Sequence, residues 1–96
     1  MYTPAMRRAI HEIKPPHGFI IEVVEYENYA PRFMSVRIYE SQWNYFTEKE
    51  RLDCVKYLAK IRKILTSNGN PVTLEPVIDT GETLPEHLKN AYRRMQ

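Results

Sequence analysis

The sequence is poor in the residues that staple, hinge or ligate. Its one cysteine, Cys54, excludes an internal disulfide framework. Three glycines spread over the chain cannot build a phosphate-cradling loop. The three histidines, His11, His17 and His87, stand far apart, and none has metal-ligand spacing with another or with Cys54. Apolar runs last only a few residues, far short of a membrane span. An excess of one charge is missing too: the net charge of +2 is far from the balance of a dedicated nucleic-acid binder. Met6, Arg7 and Arg8 have no apolar stretch behind them, so no secretory leader is expected. With a lone thiol, this favours a cytoplasmic protein.

Catalytic patterns are absent as well. Ser35, Ser41, Ser67 and Cys54 have no histidine base placed by a motif. Glu12-Ile13-Lys14 has the Glu-x-Lys form of metal-dependent nucleases, but nothing upstream supplies the second acid. Glu22 falls on the opposite strand face from Glu25 and Glu27, so these three make no tight cation cage. The expectation is a protein without cofactor, metal or enzymatic activity.

What is present is one long periodic segment, Phe46 to Asn70. Thr47 and Glu50 have capping-box spacing just before the apolar run. Cys54, Leu58, Ile61 and Leu65 fall on one line at about 100° per residue, and Val55, Tyr57 and Ile64 widen it. Lys49, Lys56, Lys60 and Lys63 cluster opposite, with Leu52 and Asp53 beside them. Gly69 and Pro71 are placed to end the helix.

Around this helix the chain, of 96 residues, reads as a single domain, residues 1–96. Thr3 and Pro4 open a short helix that Pro15 and Pro16 stop. Residues 18–27 and 32–40 alternate as strands and are joined by a turn, which predicts an antiparallel hairpin. Phe19, Ile21, Val23, Met34, Val36 and Ile38 are assigned to its core face. Residues 41–46 read either as continued strand or as a bend. Residues 72–77 form a third strand, and Pro76 places it at an edge. Thr83, Pro85 and Glu86 start a last helix. The fold class is α+β in the order α-β-β-α-β-α. A three-stranded, mainly antiparallel sheet packs against the long central helix, with N- and C-terminal helices.

The second sheet face carries Ile20, Val24, Tyr26, Phe33 and Tyr39, with Glu22 and Arg37 among them. Either a terminal helix covers it or a partner does. Phe33, Arg37, Tyr39, Trp43 and Tyr45 are therefore the candidate protein-binding residues, since aromatic and arginine side chains anchor interfaces. The function expected is a non-enzymatic protein-binding module: a small inhibitor, adaptor or regulator of the kind phages encode to act on host proteins. Homodimerisation through the second face is its companion. The alternative is a nucleic-acid binder contacting phosphates through Lys49, Lys56, Lys60, Lys63, Arg93 and Arg94.

Overall fold

A computed structural model describes residues 3–26, 33–67 and 76–95, apart from the side chains of Tyr26 and Phe33. Thr3 caps helix α1 (Pro4–His11): its hydroxyl accepts the Met6 N–H at 3.1 Å, and Pro4 stands where a missing N–H costs nothing. The helix turns Met6 and Ile10 inward. A 3-10 turn follows at Pro16–Gly18, in which His17 holds φ of 54°, a left-handed conformation unfavourable for a residue with a side chain.

Strands β1 (Ile21–Tyr26) and β2 (Phe33–Ile38) form the expected antiparallel hairpin, from Ile21 opposite Ile38 to Tyr26 opposite Phe33. Alternation then puts Ile21, Val23, Met34, Val36 and Ile38 on one face. The three β2 residues are buried, and Ile21 and Val23 pack against them half-buried. Strand β3 (Val77–Ile78) joins β2 in parallel, with Arg37 opposite Val77 and Ile38 opposite Ile78. The sheet is thus mixed, in the order β1-β2-β3. The parallel pair follows from the connection, because a crossover through a helix returns the chain in the same direction. Of the expected strand 72–77, residues 72–75 lie outside the described residues, as do the turn 28–31 and the helix-ending Gly69 and Pro71. Pro76 precedes an edge strand, as its missing N–H requires.

Residues 41–46 neither continue the strand nor merely bend. Helix α2 (Glu40–Tyr45) starts directly after β2. Asp79, beyond β3, fixes this start: its carboxylate accepts the Glu40 N–H at 3.0 Å, while its own N–H donates to the Ile38 carbonyl at 2.8 Å. Helix α3 (Glu48–Thr66) is the expected rod, with both capping-box hydrogen bonds formed. Cys54, Val55, Tyr57, Leu58, Ala59, Ile61 and Leu65 are its buried side. Helix α4 (Glu86–Arg94) is preceded by Pro85 rather than capped by Thr83, which instead bridges to Val77.

Both terminal helices pack against α3. Their buried side chains, Ile10 from α1 and Leu88 and Tyr92 from α4, join the same core as Met34, Val36 and Ile38. They widen the helical layer; on the second face of the hairpin Glu22 and Arg37 are exposed, Val24 is half-buried and Ser35 is buried. Arg62 of α3 closes the end of α4. Its guanidinium donates to the carbonyls of Tyr92, at 3.1 Å, and of Met95, and lies 4.3 Å from the centre of the Tyr92 ring. These carbonyls lie at the helix end, where the intrahelical ladder runs out and the Tyr92 carbonyl also accepts the Met95 N–H at 3.3 Å.

Candidate interaction site: a groove at the open edge of the sheet

A groove of about 520 Å³ runs between α1 and β1. One wall is α1 and the residues after it, chiefly Ile10 and Ile13, with Arg7 and His11 as its polar groups. The other wall is the unbroken run Phe19 to Val23, and Tyr57 of α3 reaches it as well. Consecutive residues of an extended chain point to opposite faces. A groove that touches five in a row therefore follows the strand's edge instead of lying over one face. That edge is the outer one, because β1 ends the sheet of described strands. Ile20, at the entrance to β1, is 60% exposed, the more exposed of the two large aliphatic side chains left on the surface among the described residues.

Two contacts hold this wall in place. The Gln42 side chain treats the backbone as a neighbouring strand would: its amide donates to the Gly18 carbonyl and accepts the Ile20 N–H, each at 2.7 Å. His17 is clamped to the start of α3. Its Nε2 donates to Asp53 at 2.9 Å and its Nδ1 lies 3.6 Å from Glu50. The imidazole hydrogen bond holds the Asp53 carboxyl below its ordinary range. The Glu50 carboxyl is lowered first by its cap bonds to Thr47, with His17 a smaller cause. Glu48, the first residue of α3, pairs with His87 in the first turn of α4 and with Arg51 at 3.9 Å.

The expected aromatic surface does not assemble. Trp43 is 3% exposed and belongs to the core, with the Arg51 guanidinium over its ring and bonded to its carbonyl at 3.1 Å. It is corrected from interface anchor to core residue; turning the chain into α2 rather than extending β2 points the indole inward. Tyr45, two residues on, is 84% exposed. Tyr39 is half-buried and donates to Glu22 at 3.1 Å, which raises the phenol's pKa. Arg37 is exposed directly opposite Glu22. The Phe33 side chain lies outside the described residues. Since Glu22 also lines the groove, Arg37 and Tyr39 adjoin it from the second face. Gln42 and His17, which hold the groove's wall, are the residues that pattern reading missed, while Ile20 carried a sequence signal as an apolar residue on the second strand face.

The lysine row does assemble. Lys49, Lys56, Lys60 and Lys63 are all exposed on α3, as are Arg93 and Arg94 on α4. Lys56, Lys60 and Lys63 line a shallow groove of about 300 Å³ with Ala59 and Met95. An adjoining one of about 230 Å³ adds Lys14. Asp53 borders that second groove too, and its carboxylate accepts a hydrogen bond from His17. Cys54, fully buried, takes no part in any surface: burial, then the nearby Asp53 and Glu50 charges, pushes its thiol up to about 12.

No protein-family model, curated protein or solved structure matches this chain. Function rests on its own geometry. No helix among the described residues is long and apolar enough to cross a membrane, and no group of three or more ligating side chains there is placed to hold a metal.

Proposed function

We propose that this protein is a non-enzymatic protein-binding module, a small inhibitor, adaptor or regulator, that takes its partner in the groove between α1 and β1. The observation that carries the reading is the coincidence of a largely apolar groove with a strand edge that no other described strand pairs. Exposed apolar surface of this kind marks contact sites, and an open edge offers backbone groups besides. Arg37 and Tyr39 adjoin the groove through Glu22 and extend the contact; Tyr45 is a separate exposed aromatic that can add to it. Wild type and Ile20→Asp, compared as baits in the native host with nuclease present, test the reading. Ile20 is exposed, so the variant keeps its fold, checked by circular dichroism. The wild type is expected to retain a protein that Ile20→Asp loses at least tenfold. Equal retention by the two removes the groove as the docking site.

A second reading, phosphate contact by the lysine row, is favoured by one specific feature: Lys56, Lys60 and Lys63, all exposed, line one shallow groove. Three neutralised phosphates give a slope of log affinity against log salt of about −2.7 on duplex DNA. Lys60→Glu should abolish retention on duplex DNA at low salt. A flat salt response ends this reading.

A further inference from the structure

We propose that the groove takes its partner as an added strand. An extended segment of another protein pairs with the outer edge of β1, with apolar side chains at alternate positions facing α1 and a lysine or arginine facing Glu22. This rests on the groove being a protein-docking site, and it names the partner's chemistry.

The geometry points to strand addition in three ways. First, the groove follows the edge of β1, where alternate residues present backbone N–H and C=O groups that no described strand pairs. Second, β1 lacks most of the devices that blunt an exposed edge, although Glu25 stands on its core face opposite Met34. Ile21 to Tyr26 contains no lysine and no proline, and its register with β2 is continuous, without a bulge. Third, the walls differ by face. Partner side chains on the α1 side meet Ile10, Ile13, Ile21 and Val23, a mainly apolar lining with Arg7 and His11 as its polar groups. Those on the other side fall beside Glu22, which is exposed and accepts one hydrogen bond from Tyr39. A neighbouring strand places its residues about 4.5–5.5 Å from those they oppose, within reach of an ion pair with Glu22. Backbone bonding then supplies affinity, and the alternate side chains supply selectivity.

The same pattern argues against a second copy of this chain. Two β1 strands related by a two-fold axis pair in registers centred on Val23 or on Val24. In these, Glu25 of the copy falls opposite Ile21 or Val23, on the apolar side of the groove, and the copy offers Glu22 only valine or tyrosine. The edge is built for a basic, alternating segment and not for itself.

Selection of a random octapeptide library on the immobilised full chain tests this, with Ile20→Asp as the counter-selection bait. The expected peptides alternate apolar residues with lysine or arginine. Bound peptide should slow amide exchange in β1. N-methylation of alternate peptide nitrogens, on the register that faces β1, should weaken binding at least tenfold while the other register is tolerated. Glu22→Lys should weaken the basic peptides at least tenfold and favour versions carrying glutamate instead. Apolar residues at helical spacing, or equal binding of both N-methylated registers, overturn strand addition and leave the groove reading intact. No enrichment over Ile20→Asp overturns both. A peptide-free dimer in sedimentation, with β1 amides protected, assigns the edge to a second copy and overturns the proposal.

Discussion

Trp43 and Tyr45 stand two positions apart and have opposite fates. The indole is part of the core, while the phenol is almost wholly exposed. Trp43→Ala is expected to cost about 3–5 kcal/mol, and Tyr45→Ala less than about 0.5 kcal/mol; urea denaturation followed by circular dichroism measures both. Loss of a partner in Trp43→Ala is therefore a folding effect, whereas loss in Tyr45→Ala is a contact effect. Sequence pattern could not separate the two, because both are aromatics in one short segment and only the turn into α2 decides which points inward. Cys54 gives a second prediction. With its thiol raised to about 12 by burial, it should resist a disulfide-exchange reagent at pH 8 in the native protein and react at once in denaturant. Reaction at the rate of a free thiol in the native protein would place it at the surface.

The start of α3 ties the capping box, His17 and, through His87, the first turn of α4 into a single cluster. Thr47→Ala should cost about 1 kcal/mol through the lost cap. The Glu50 and Asp53 carboxyls lie below their ordinary values of 4.5 and 3.8 in the folded chain. Groups lowered by folding stabilise it fully above the ordinary value and lose that contribution as pH falls through the lowered one. Thermal stability should therefore drop as pH falls below about 4. The drop should be shallower in His17→Asn, which lacks the largest cause of the Asp53 shift. An unchanged acid limb in that variant would show the clamp to be idle. Arg62→Ala should cost about 1.5–3 kcal/mol, since it strips a charged donor from the end of α4. The caps of α1 and α3 were legible because a cap and its recipient lie three residues apart. The start of α2 was not, because its cap comes from Asp79, 39 residues on.

Taken as one body, the molecule is a helical layer of α1, α3 and α4 laid on one side of a small sheet whose central strand is β2. Amide exchange should be slowest in β2 and the middle of α3, where Met34, Val36, Ile38, Leu58 and Ile61 are buried. Alternate amides of β1 should exchange fastest among the strands. Uniform protection across the hairpin would mean that the edge is covered.

The α+β class, the hairpin register and the outward lysines were all readable from the chain, because caps, alternation and helical period act within a few residues of each other. Periodicity also assigned Met34, Val36 and Ile38 to the core. Packing alone settled that β1 ends the sheet of described strands beside α1, that Trp43 turns inward, and that His17 bonds Asp53 at the border of the lysine row. Each of these depends on contacts between segments distant in sequence, such as His17 with Asp53 and Gly18 with Gln42. No pattern of neighbours along the chain encodes which of those distant pairs will meet.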